Sequence, residues 1–160
     1  MNLLLNESLI FNFFVLLFTG SSMSFDVTQR RIPNWLNLAG IGGGMVLNLW
    51  KGAPQFFDSL LGCGAGVGIL LIPFAFGWLG AGDVKFFGAV GAIFGLSWIP
   101  RLFFYSSVLG LASALISCAA TRGIVKQLFK GTLTIPYGVS IGLGALIAFY
   151  LDSQGKWAGF

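Results

Sequence analysis

Apolar runs of about twenty residues, parted by short joints of turn residues and charge, fill this chain from end to end. A helical run of that length matches the roughly 30 Å hydrocarbon core of a bilayer. In lipid every backbone N–H and C=O needs a partner inside the protein, and an α-helix supplies them within one segment. The expected fold is therefore all-α, a polytopic membrane protein with six transmembrane helices. Their expected positions are about 6–25, 34–50, 56–79, 84–99, 101–120 and 135–151. Charge supports this reading: only 9% of the residues are charged and 56% are hydrophobic, where a soluble domain carries roughly 25% charge. Six spans in 160 residues leave no room for a separate soluble domain, so residues 1–160 read as one transmembrane domain.

Aromatic residues mark the same borders. Trp35, Trp50, Trp78, Trp98, Tyr137 and Tyr150 all fall near expected span ends, where an amphipathic ring suits the interface. The N-terminal run lacks a basic lead-in and carries Asn2, Asn6 and Glu7, so it reads as the first span rather than a cleaved signal. Orientation follows from Lys and Arg. Arg30, Arg31, Lys85, Arg122, Lys126 and Lys130 fall on one side, and Lys51, Arg101 and Lys156 on the other. The positive-inside rule then gives an N-out, C-out protein. The net charge of +4 is spread over short joints. That suits an anionic leaflet better than nucleic acid, which is not an expected partner.

Most of the 24 glycines lie inside spans, as Gly42–Gly44 and Gly62, Gly64, Gly66 and Gly68 do, and read as close helix packing. Residues 121–134 form a cytoplasmic amphipathic loop. Arg122, Lys126 and Lys130 recur every fourth residue beside Ile124, Val125, Leu128 and Phe129. It reads as a helix lying on the leaflet, with substrate docking by the three basic residues as the second possibility.

With no histidine and two separated cysteines, Cys63 and Cys118, the Ser-His-Asp, Cys-His and usual zinc arrangements are excluded. No metal or cofactor is expected. The acids are Glu7, Asp26, Asp58, Asp83 and Asp152. Asp26 closes the first apolar run and Asp83 opens the fourth, both on the expected cytoplasmic side. An ionisable group at a span is a functional-site hypothesis. Two carboxylates that meet cannot readily both ionise, and such a pair can activate water as acid and base. Structural roles stay open: Asp83 as a helix N-cap, and Asp26 as an interfacial acid paired with Arg30 or Arg31.

The segment Asp26-Val-Thr-Gln-Arg-Arg-Ile-Pro-Asn34 with Trp35-Leu36 closely resembles the first aspartate motif of the type IV prepilin peptidases. Gly80-Ala81-Gly82-Asp83-Val84-Lys85 resembles their GxGD motif, and Ile135-Pro136-Tyr137-Gly138 the proline-glycine segment that opens their last span. The resemblance implies a membrane aspartyl endopeptidase with Asp26 and Asp83 as its catalytic pair. Gly80, Gly82, Lys85, Ile32, Pro33, Asn34, Pro136 and Gly138 match its supporting positions. Pro33 suits the first turn of the second span, Asn34 a bond to loop backbone, and Gly80 and Gly82 a relaxed backbone that admits a peptide. The implied substrate is a prepilin with a basic leader and an apolar helix, cut at the cytoplasmic face. Only the loop from Asp26 to about Pro33 joins the first two spans and no CxxC pair occurs, so the N-methyltransferase activity of longer members is not implied. The short form is similar to the peptidases of Flp-type, tight-adherence pili, with the archaeal preflagellin enzymes as the other possibility. Outside this family, a small proton-coupled transporter or a structural membrane subunit would also use acids at span ends.

Overall fold

A computed structural model describes residues 2–120 and 137–153, with side-chain surroundings for 9–116 and 137–153. The described residues form six α-helices and no strand: α1 Asn2–Gln29, α2 Asn34–Lys51, α3 Ala53–Ala75, α4 Ala81–Phe94, α5 Ile99–Ala120 and α6 Tyr137–Ser153. The amphipathic loop at 121–134 with Arg122, Lys126 and Lys130, and the residues Ile135 and Pro136, lie outside the described residues.

Large apolar side chains face outward and small or polar ones face inward. The buried stripe of α2 is Leu36, Asn37, Gly40, Gly44 and Asn48, and that of α3 is Ser59, Gly62, Gly66 and Leu70. Phe13, Leu16, Leu38, Val46, Ile72 and Ile116 are exposed. Lipid is as apolar as leucine, so bulk hydrophobicity does not press helices together there; close packing of small residues does. Three stretches are long and apolar enough to cross a membrane: Leu9–Gln29, Ala53–Ala75 and Leu96–Ile116. Trp35, Trp50 and Trp78 are exposed at or beside helix ends, as expected of interface anchors.

Helix α4 breaks this pattern. Every residue from Phe86 to Phe94 is buried, so it is apolar all round and forms the core of the bundle. Helices α2, α3 and α6 pack around it. Its 14 residues extend about 21 Å at 1.5 Å per residue, less than the roughly 30 Å of a bilayer core. The bounds expected for this span, 84–99, are corrected to 81–94. Gly95 takes a φ of +90°, Leu96–Trp98 make one 3₁₀ turn, and α5 begins at Ile99. Pro100 does not break the chain, because the first turn of a helix does not need its missing N–H. The left-handed Gly95 makes the break instead.

A helix that ends inside a protein leaves carbonyls that water cannot reach. The α4 C-terminus finds partners on its neighbours. Asn48 Nδ2 donates to Ala92 O at 3.1 Å and Ile93 O at 3.0 Å, and Ser59 Oγ also donates to Ala92 O. Asp58 Oδ1 accepts the Leu96 N–H at 3.2 Å beyond the break.

Backbone contact fixes α3 against α4. A Cβ on Gly91 would stand 2.3 Å from Gly62 O, and one on Gly62 would stand 2.3 Å from Gly91 O. Neither neighbour is a flexible side chain that can swing away. Gly64, on the open face of α3, has nothing within 4 Å of a Cβ. Gly91→Val should therefore lower stability in detergent by more than the 1–3 kcal/mol usual for overpacking. Gly64→Ala should cause no loss. Thermal unfolding midpoints test both, and equal midpoints for the two variants would contradict this packing.

Candidate functional site

The first helix buries Val15, Phe18, Thr19, Ser22 and Asp26. Their spacing of three and four residues puts Asp26 on the core stripe, at 5% exposure. The expected loop from Asp26 is corrected, because α1 continues to Gln29 and Asp26 lies in its last turns. No Gly or Pro interrupts 21–29. Arg30 N–H bonds Asp26 O at 2.9 Å, and the helix ends where Arg30 takes a φ of +50°. The joint to α2 is then only 30–33. Pro33 is the N-cap of α2 in extended conformation, one residue before the expected first turn. It also biases Ile32 away from helix.

The carboxylate of Asp26 turns toward the first turn of α6, where Val139 N–H donates to its Oδ2 at 3.0 Å. Early helix N–H groups have no partner in their own helix, and the helix dipole favours an anion there. Gly138 makes the approach possible, because a Cβ on it would meet Asp26 Oδ2 at 2.7 Å and Cγ at 2.9 Å. Of the two arginines in the alternative pairing, Arg30 acts on Asp26 through its charge, beside this backbone bond. Its hydrogen-bonding partner is backbone 113 residues away.

Asp83 is the third residue of α4, and Gly80, not Asp83, is the N-cap. Asp83 N–H bonds Gly80 O at 3.1 Å, and Gly80 N–H returns a bond to Asp83 Oδ2 at 3.1 Å. The turn closes on itself as a capping box does. Neither Gly80 nor Gly82 takes a left-handed φ, so the expected backbone relaxation gives way to a fit. Gly82 backs onto Ile32, whose N would lie 3.6 Å from a Cβ there. Ile32 is buried, and its Cδ1 lies 3.0 Å from the Cβ position of Gly138. It wedges between the two aspartate segments.

The two carboxyls share one electrostatic environment. Burial first, and next the negative charge of Asp26, push the Asp83 carboxyl up to about 6, against the lowering effect of the Gly80 N–H. Tyr137 completes this side: its phenol hydrogen-bonds Ser107 and lies in the field of Asp83.

The supporting positions divide. Lys85 Nζ donates to Asn34 Oδ1 at 2.9 Å, so Asn34 ties α2 to α4 rather than bonding the loop backbone expected for it. Three turns of α2 thus fasten the α4 start and end, through Asn34, Asn37 and Asn48. Asn37 was not singled out from the sequence, although a polar residue inside an apolar run was the available signal. Pro136 is outside the described residues. The other aspartates lie away from the pair. Asp58 is at the far end of α4, and Asp152, at the far end of α6, pairs with Arg101 at 3.5 Å. Among the described residues no three His, Cys, Asp or Glu side chains gather as a metal site would need.

A helical membrane-type bundle that brings an aspartate from its first helix to a Gly-x-Gly-Asp turn defines a class of membrane protein with a paired-carboxylate site. The chain belongs to the type IV leader peptidase family, whose model matches residues 11–115. It is similar to three prepilin leader peptidase/N-methyltransferases. The Escherichia coli K12 protein is 28% identical over 145 residues, covering 86% of this chain and 60% of the relative. The Bacillus subtilis protein is 32% identical over 131 residues, covering 80% and 50%. The Neisseria gonorrhoeae protein is 33% identical over 103 residues, covering 59% and 36%. The chain therefore spans between about a third and three-fifths of the length of these relatives. No solved structure matches it.

A site-resolved carboxyl titration tests the electrostatics. Asp83 should titrate near 6, and in Asp26→Asn it should fall but stay above 3.8, because burial is the larger cause. Titration of Asp83 at 3.8 in the unaltered protein would contradict the described site.

Proposed function

We propose that the protein is a prepilin leader peptidase in which Asp26 and Asp83 share a proton and activate water. The observation that carries this reading is the meeting of the two aspartate segments, 57 positions apart in sequence, around Ile32 and the start of α6. One carboxyl is ionised and draws a proton from water. The other is protonated and polarises the scissile carbonyl, and a proton then passes to the leaving amine. The raised Asp83 carboxyl supports a pair that holds one proton near neutral pH. Asp26 and Asp83 are catalytic residues in this reading. Gly138 and Gly80 hold them, Lys85 fastens the Asp83 turn to α2 through Asn34, and Ile32, Pro33 and Gly82 shape the joint around them.

The substrate of this reading is a type IV prepilin of the Flp kind, whose basic leader stays in the cytoplasm. The chain crosses the inner membrane six times, N-out and C-out, with the pair at the cytoplasmic face. The Lys and Arg asymmetry supports this orientation. So does the gathering of both aspartates at one end of the bundle, away from Asp58 and Asp152.

Asp26→Asn and Asp83→Asn should each reduce leader cleavage by about a thousandfold or more, as loss of a member of an acid–base unit does, with protein levels unchanged. Near-normal cleavage by either variant would remove that residue from the mechanism. Gly138→Ala should also impair cleavage, because its methyl group displaces Asp26. Orientation is tested with single cysteines in a background lacking Cys63 and Cys118. A cysteine at position 51 or 156 should react with an impermeant thiol reagent outside intact cells, and one at 31 or 126 should not. The reverse pattern would put the pair outside and overturn cytoplasmic cleavage.

A further inference from the structure

The two aspartates are anchored to different parts of the bundle. Asp26 belongs to α1 and is held by the first turn of α6. Asp83 belongs to a turn closed on itself by its two bonds with Gly80. Those bonds fix the shape of the turn and say nothing of where it stands relative to Asp26. The body of α4 is set by α3, and the side chains that reach its first turn come from α2. Asn34 takes the Lys85 ammonium, and three residues on, on the same side of α2, Asn37 reaches Gly82 O with its Nδ2 at 3.5 Å.

Asn37 is unusual for a residue inside an apolar helix. It is 1% exposed, and among the described residues its one bond is long and its Oδ1 has no hydrogen-bond partner. Leaving a buried amide oxygen unpaired is unfavourable, because it gives up its bond to water and gains none. Leucine would fill similar space without that cost. A buried, half-satisfied amide on the peptide group directly before Asp83 has a positional reason to be there. The Gly82 carbonyl and the Asp83 N–H belong to one planar peptide unit. Whatever orients that carbonyl orients the root of the Asp83 side chain.

We infer that Asn37 is a positioning residue for the peptidase reaction: its side-chain amide holds the Gly82–Asp83 peptide and so sets how closely Asp83 faces Asp26. The inference rests on the aspartate-pair reading and adds to it the element that determines the pair's separation. Asn37 touches neither carboxyl and takes no part in proton transfer. The charged and titratable groups around the pair are Asp26 on α1, Arg30 in the joint, Lys85 on α4 and Tyr137 on α6. The test leaves all of them in place.

The test is leader cleavage by Asn37→Leu and Asn37→Ser in detergent, measured as kcat, KM and the pH dependence of kcat. In Asn37→Leu, kcat should fall by about tenfold or more, as displacements near 1 Å do, with KM within about twofold. The alkaline limb, where the pair loses its last proton, should also move to lower pH. The sign follows from the pair: as Asp83 drifts from Asp26, the like charge that favours its protonated form weakens. Asn37→Ser keeps a short donor and should recover the limb toward its original position. A leucine variant with unaltered kcat and limb overturns the inference. So does one that loses kcat with an unmoved limb, since a purely structural defect lowers the amount of active enzyme and leaves its titration alone. If Asn37→Leu does not accumulate in the membrane, Asn37→Ala takes its place with the same two readings. Asp26→Asn and Asp83→Asn are measured alongside. Cleavage surviving in either of them defeats the pair itself, separately from any result at Asn37.

Discussion

Helix α4 must satisfy the backbone of its buried C-terminal end without water, and much of the bundle is arranged around that requirement. It is short, and it is apolar on all sides through most of its length. Its C-terminal carbonyls end among other helices rather than in solvent, whereas its first residues, Gly80 and Ala81, are exposed. At the C-terminus, Asn48 and Ser59 donate to the carbonyls, and Asp58 accepts the Leu96 N–H just beyond the break. At the N-terminus, the Gly80–Asp83 turn supplies its own. Unpaired, each group would cost about 1–3 kcal/mol. The polar residues on the inner faces of α2 and α3 are therefore part of the fold's stability. Their large apolar neighbours face lipid.

The same requirement gives the candidate site its chemistry. An acid at the start of a buried helix is useful as a cap and costly as a charge. The Gly80 N–H favours its anion, while burial and the Asp26 charge oppose it more strongly. Asp26 is also buried, on the α1 stripe, and accepts the Val139 N–H from the first turn of α6. Capping and catalysis do not compete as explanations for Asp83. The cap holds one carboxylate oxygen and orients the group, and a carboxyl held in a fixed direction is what acid–base chemistry requires.

The joint at 30–33 matters more than its length suggests. It carries the chain from the helix bearing Asp26 to the helix that fastens the Asp83 turn. Arg30 turns the chain through a left-handed conformation, Pro33 starts α2, and Ile32 drops between them into the space bounded by Gly82 and Gly138. Two small residues on two other helices leave room for one isoleucine. This makes the spacing between Asp26 and Pro33 a geometric quantity.

The all-helical architecture, its membrane-type surface and the two aspartates were legible in the sequence, because each rests on local chemistry. Long apolar runs need helices in lipid, and rare acids at their ends stand out. The resemblance to the family rests on contiguous segments for the same reason. Other features depended on three-dimensional contact. The ends of α1 and α4 were misplaced because Asp26 and Gly95 are judged by their surroundings: a polar residue continues a helix when its side chain finds a partner, and a glycine breaks one when neighbours cap the break. Asn37 and Asn48 are polar residues inside an apolar run, and their roles come only from the α4 carbonyls that their amides meet. Gly138 reads as part of the segment that opens the last span, and only the fold lays the Asp26 carboxylate against it. Sequence determined which residues can live in lipid and which can do acid–base chemistry. Tertiary structure decided which backbone groups those residues satisfy, since hydrogen bonds between helices depend on distances that no local pattern encodes.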